Sequence, residues 1–240
     1  MLLGTQEVGG DGVLRVGGCS TLDLAEEHGT PVYLYDEAEI RRMCRAYVDG
    51  FEARWPHVDV SYACKAFTAP AMMELALSEG LGLEVVSVGE MNMALHCGCP
   101  PELLTYHGTF KTEPDLEFAI DADCGVIVID NLTEIAAIAR TAERLGKVQP
   151  VLVRINPTVT GLENVQYTTV GDDTKFGLSI EHGFAPATVV TRRGYSLERG
   201  LFAAPRLLAG RAPPLSAKLR SLRMVPSARR GFSRKGFVCG

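Results

Sequence analysis

The chain has 240 residues, of which 46% are hydrophobic and 22% charged, and its net charge is -5. That is apolar material for one large domain or two small ones in an ordinary globular composition, which excludes fibrous, membrane-embedded and wholly disordered classes. The charge is unevenly divided: residues 1–183 hold 12 basic and 28 acidic residues, whereas residues 184–240 hold 12 basic residues and one acid, Glu198, so a boundary is expected at Gly183.

The N-terminus, MLLGTQEVGGDG, has neither a basic start nor an apolar stretch long enough for export, and no apolar run approaches a membrane span. A cytoplasmic location is therefore expected. The seven cysteines are scattered without a C-x-x-C pair and read as reduced thiols. His96, Cys97 and Cys99, in HCGCP, lack a second ligand cluster, so no metal is expected.

From Val32 to Ile155, short apolar runs alternate with amphipathic helical patterns. The runs are PVYLYD, VDVSYACK, LGLEVVS, LLTYHG, GVIVID and PVLVRIN, and from the second onward they recur about every two dozen residues. That period suits one strand, one helix and their loops. The helices have clear starts. Asp36 precedes EAEIRRMCRAYVDGFEARW, whose Ile40, Met43, Tyr47 and Phe51 form an apolar stripe. Thr112 precedes EPDLEFAI with Pro114 in the first turn, and Asn131 precedes LTEIAAIARTAERLG, which closes on Gly146. Strands apolar on both faces and alternating with helices imply parallel pairing and right-handed crossovers.

Two α/β architectures fit this alternation, a doubly wound open sheet and a (β/α)8 barrel. The first predicts a glycine-rich phosphate turn after an early strand, and no G-x-G-x-x-G is present. In a barrel the chemistry sits at the C-terminal ends of the strands. Here those ends read Lys65; Glu84 with Ser87 and Glu90; His107; Asp130; and Arg154. Any one alone reads as a solvated residue opening a loop, but five in phase point to a site. After Pro157 the polar segment TVTGLENVQYTTVGDDTKFGLS is long enough to suggest function rather than connection. Beyond Gly183 the periodicity stops and Arg, Ala, Leu, Pro, Gly and Ser dominate.

Lys65 ends an apolar strand, where a desolvated, unpaired amine is costly unless something needs it. A lysine so placed can form a Schiff base with a carbonyl, most often that of pyridoxal phosphate, which serves as an electron sink for a carbanion at the α-carbon of an amino acid.

The segments GTPVYLYDEAEIRRMCRAY, VSYACKAF, EGLGLEVVSVGEMNMAL, CPPELLTYHGTFKTEPDLEFAI, GVIVIDNLTEI, VLVRINP and TKFGLS, in this order, resemble the N-terminal part of the diaminopimelate decarboxylase family. The wider group is the barrel-type, alanine-racemase-like pyridoxal-phosphate decarboxylases. The resemblance runs from about Val16 to Ile180. It implies a partial (β/α)8 barrel of about five βα units that binds pyridoxal 5'-phosphate, with Lys65 as the Schiff-base lysine and Glu84, Ser87, Glu90, His107 and Arg154 in the cofactor pocket. Lys175, Phe176 and Gly177 match the family's KFG turn, for which a structural role is inferred. Glu84 stands where the family has aspartate, Val88 where it has glycine, and HGTFKT replaces HGNNKS.

The family continues with a histidine-bearing sixth strand, a glycine-rich phosphate loop, a Glu-Pro-Gly-Arg turn and a β-domain, and residues 184–240 contain none of these. The expected organisation is thus an incomplete pyridoxal-binding barrel portion at 1–183 and an irregular basic tail at 184–240, disordered or out of frame. The resemblance implies decarboxylation of meso-2,6-diaminopimelate to L-lysine, a small amino-acid substrate and a homodimer for the full-length family, with turnover by this incomplete chain in doubt. No membrane or nucleic-acid partner is expected. Three alternatives stay open: another amino-acid decarboxylase of the family, an inactive half-barrel whose basic tail binds nucleic acid or an acidic partner, and a single-domain pyridoxal-phosphate carrier.

Overall fold

Five apolar segments, each too hydrophobic to lie on a surface, pair side by side and take their helices onto one face. The structure, a computed structural model, describes residues 2–54, 58–156, 175–179 and 200–201. It opens with three short antiparallel strands, β1 (Glu7–Val8), β2 (Leu14–Val16) and β3 (Cys19–Ser20). Helices α1 (Thr21–His28) and α2 (Glu37–Glu52) follow. The turn between β2 and β3 is Gly17-Gly18, both at positive φ, the pair that a tight two-residue hairpin turn demands.

The main sheet contains β4 (Ser61–Ala63), β5 (Gly82–Val85), β6 (Leu104–Tyr106), β7 (Val126–Ile129) and β8 (Val151–Asn156). All adjacent pairs are parallel and lie in chain order without reversal. Helices α3 (Pro70–Ser78), α4 (Val88–His96), α5 (Glu113–Asp121) and α6 (Leu132–Leu145) make the crossovers. Among the described strands there is thus no switch point of the doubly wound kind, and the order is that of a barrel wall. Two further short pairings fall on β8, from β9 (Leu178–Ser179) and β10 (Gly200–Leu201), both parallel. The remainder of the expected tail, and the segment after Pro157 up to residue 174, lie outside the described residues.

Side chains alternate across the sheet. Leu83, Val85, Leu104, Tyr106, Ile127, Ile129 and Val153 join Met73, Met91, Leu116, Ile120 and Ile138 of the helices in one core. Each large apolar side chain so buried contributes about 1.5–3 kcal/mol, which makes this layer the main source of stability. Val128 and Leu152 lie in a separate, smaller cluster. Their strand positions belong to the opposite face, the face that also takes Glu84.

The helix starts follow the sequence. Asp36, Thr112 and Asn131 cap α2, α5 and α6, with a full capping box between Thr112 and Asp115. Gly146 closes α6 in the left-handed region at φ 64°. Two expectations need correction. The run PVYLYD is not a strand: residues 32–36 are coil, Tyr33 is 89% exposed, and Tyr35 instead stacks on Phe67 with ring centroids 4.4 Å apart. The buried stripe of α2 is Ile40, Cys44 and Val48, while Met43 and Tyr47 are exposed. The rotation is set by two arginines one turn apart. Arg41 Nη1 reaches Glu79 Oε1 at 2.7 Å and Arg45 Nη2 reaches the same oxygen at 2.9 Å, fastening α2 to the end of α3.

The Asn131 side chain accepts from the backbone N–H groups of Thr133 and Glu134. Asn131→Ala is expected to lower stability by about 1 kcal/mol, read as a shift of the urea midpoint at unchanged slope.

Candidate active site

The end of β4 places a lysine at a boundary between core and solvent. Cys64 is fully buried, and the next residue, Lys65, turns outward in a short 3-10 turn with its side chain 54% exposed. Its Nζ lies 3.7 Å from Glu84 Oε1. Glu84 sits within β5 between helix-facing Leu83 and Val85, and the pleat turns it to the other face, where it pairs in register with Ala63 and Thr105. It is only 3% exposed, and a carboxylate so buried requires partners. One is His107, whose Nδ1 is 3.3 Å from Glu84 Oε1. The backbone N–H of His107 donates to Val85 at 2.7 Å, which holds the imidazole beside Glu84. The other ring nitrogen, Nε2, is buried with no hydrogen-bond partner among the described residues.

Two strands further on, Arg154 of β8 donates from Nη1 to Asp130 Oδ1 at 2.8 Å, and Asp130, at the end of β7, is buried. The guanidinium also lies 4.6 Å from the centre of the Phe176 ring, a cation–π distance. Gly177 follows at φ +69°, and a Cβ there would stand 2.9 Å from the Arg154 carbonyl oxygen. Only glycine suits both the left-handed backbone and that approach. The KFG turn therefore has a packing role on Arg154.

Ser87 and Glu90 are drawn into the start of α4. Ser87 Oγ accepts from the Glu90 N–H at 3.2 Å, and Glu90 Oε2 accepts from the Val86 N–H at 2.8 Å. Lys65, Glu84 and His107 thus share one carboxylate oxygen, Arg154 and Asp130 form a second pair, and Ser87 with Glu90 serves the helix cap.

Sequence reasoning missed a third pair. Lys111 Nζ lies 2.9 and 3.0 Å from the two oxygens of Glu134, and both side chains are buried. A lysine in the loop HGTFKT carries no mark that separates it from a solvated one. Among the described residues, no group of three or more His, Cys, Asp or Glu side chains could hold a metal, and no helix is long and apolar enough to cross a membrane.

Comparison with known proteins gives a consistent set of likenesses. Residues 37–194 match the family described as pyridoxal-dependent decarboxylase, pyridoxal binding domain. The diaminopimelate decarboxylase of Bacillus subtilis (strain 168) is 39% identical over 182 residues, which are 76% of this chain and 42% of that protein. The diaminopimelate decarboxylase of Mycobacterium tuberculosis (strain ATCC 25618 / H37Rv) is 38% identical over 178 residues, 74% of this chain and 39% of that one. Among solved structures, diaminopimelate decarboxylase from M. jannaschii in co-complex with L-lysine aligns with TM-score 0.68 and 30% identity, covering 78% of this chain and 43% of the other. The Helicobacter pylori enzyme complexed with L-lysine aligns with TM-score 0.63 and 27% identity, covering 67% and 40%. The chain spans about two fifths of the length of these relatives.

Burial works to raise the pKa of Glu84, but the hydrogen bond from His107 and the positive charges of His107, Lys65 and Arg154 outweigh it, and the carboxyl is held below its ordinary 4.5. A depressed folded-state value means that this contribution is present above pH 4.5 and is lost as the pH falls through the folded value. Glu84→Gln removes the titrating group. Thermal melts between neutral and acid pH should show a shallower loss of stability below pH 4.5 for the variant than for the parent; parallel acid limbs would contradict the assignment.

Proposed function

The chain belongs to the pyridoxal-dependent decarboxylase family, and from that premise we propose that it is the pyridoxal-binding part of a diaminopimelate decarboxylase, with Lys65 as the residue that holds the cofactor. The reaction is the conversion of meso-2,6-diaminopimelate to L-lysine and carbon dioxide, carried out by the whole protein to which this part corresponds. The family's cofactor is pyridoxal 5'-phosphate. When bound, it supplies an electron sink for the α-carbon of an amino acid, which lets a carboxylate leave as carbon dioxide.

The residues present suit that group. Lys65 offers a half-exposed amine at the mouth of a strand. Glu84 keeps a buried negative charge 3.7 Å from that amine. His107 presents a buried Nε2 that lacks a partner among the described residues, a polar atom suited to a ligand's oxygen. Arg154, held by Asp130 at 2.8 Å, places a guanidinium on the same face of the sheet as Glu84. The observation that carries the reading is the convergence of Lys65 and His107 on the one buried carboxylate of Glu84.

We extend the proposal to organisation. Residues 1–183 form the pyridoxal-binding portion and residues 184–240 a basic tail, of which Gly200 and Leu201 pair alongside Val153 and Arg154 of β8. The protein acts in the cytoplasm, and its full-length form is a homodimer.

Titrating the chain with pyridoxal phosphate should produce the visible absorbance of bound cofactor. Lys65→Ala should abolish that absorbance while leaving the far-ultraviolet circular dichroism unchanged. A band of equal strength in Lys65→Ala would contradict the assignment.

A further inference from the structure

The mechanism above makes no use of Lys111, yet its amine is the most completely enclosed charge among the described ion pairs, with side-chain exposure of 0%. The amine has three protons to donate. It lies 2.8 Å from the Gly108 carbonyl and 2.9 and 3.0 Å from the two Glu134 oxygens. The acceptors come from two different elements, the loop after β6 and the first turn of α6.

Glu134 has a second task. Its Oε2 also accepts the backbone N–H of Asp130 at 2.9 Å. Asp130 in turn receives the guanidinium of Arg154 at 2.8 Å. Lys111, Glu134, Asp130 and Arg154 therefore form one continuous line of contacts of compensating charge, running across the C-terminal ends of three successive strands, β6, β7 and β8. From this geometry we infer that Lys111 is a positioning residue: through Glu134 and Asp130 it fixes the place of the Arg154 guanidinium.

Its meaning for cofactor binding rests on the reading under Proposed function, but the positional claim does not. A buried ion pair that serves stability alone can be replaced by apolar side chains of similar volume with little loss. A pair that fixes Arg154 cannot, because the replacement also removes the acceptor that holds the Asp130 backbone. The double variant Lys111→Met with Glu134→Leu separates the two roles.

The readout is the rate at which phenylglyoxal modifies Arg154, measured by peptide mass spectrometry against the exposed Arg140 and Arg144 in the same sample. The double variant should fold with a melting temperature lowered by the loss of the acceptor for the Asp130 N–H, and should label Arg154 about tenfold faster, the change expected for losing a restraint of about 1.4 kcal/mol. Arg140 and Arg144 should be unaffected. Labelling of Arg154 at the parental rate in a folded double variant overturns the inference. If the double variant does not fold, Lys111→Met with Glu134→Gln, which removes the amine that fixes the residue-134 side chain and leaves no buried unpaired charge, takes its place with the same expected acceleration and the same contrary result. The cofactor titration of the parent chain reports separately on the functional reading: if no Lys65-dependent absorbance forms, that reading fails, while the labelling result still decides the role of Lys111.

Discussion

A buried carboxylate without a partner costs several kcal/mol, and the strand ends of this protein are arranged around that cost. Glu84, Asp130 and Glu134 are all buried. Each is matched by cationic or hydrogen-bonding groups from a neighbouring strand end: Glu84 by Lys65 and His107, Asp130 by Arg154, Glu134 by Lys111. Because the partners come from different segments, the charges link neighbouring strand ends to one another in addition to the backbone ladder. Charge can be concentrated there only because helices α3 to α6 seal the other face with the apolar core.

One consequence is a division of labour between the two faces of the sheet. The helix-facing rows are aliphatic, with Tyr106 and the methionines of α3 and α4 filling the space between layers. The opposite face carries Glu84 and Thr105 on β5 and β6 and the apolar Val128 and Leu152 on β7 and β8. Lys65 stands at the rim, half in solvent, where an amine remains accessible to a ligand while facing a fixed negative charge. A lysine buried as deeply as Lys111 could not serve in that way, and Lys111 is saturated by its three acceptors.

Much of this was legible in the sequence. The recurrence of apolar runs, the capping residues Asp36, Thr112 and Asn131 and the stop at Gly146 are local signals, and local signals survive in the fold. The phase of ionisable residues at strand ends located Lys65, Glu84, His107, Asp130 and Arg154. What stayed hidden depends on contacts between distant segments. The run at 31–36 has strand-like composition but no ladder among the described residues, and the face of α2 that turns inward is decided by Glu79 of another helix. The Lys111–Glu134 pair links residues 23 apart, and neither is unusual in its own segment. The short N-terminal hairpins did leave a trace, in the paired glycines at 17 and 18.

The central claim is that one amine, that of Lys65, holds the cofactor. The most direct measurement is to incubate the chain with pyridoxal phosphate, reduce with borohydride, digest, and locate the pyridoxyl group by mass spectrometry. The account predicts modification concentrated on the peptide containing Lys65, at a cofactor concentration that leaves exposed lysines such as Lys147 largely unmodified. Label spread evenly over the accessible lysines, or absent from Lys65, would contradict it.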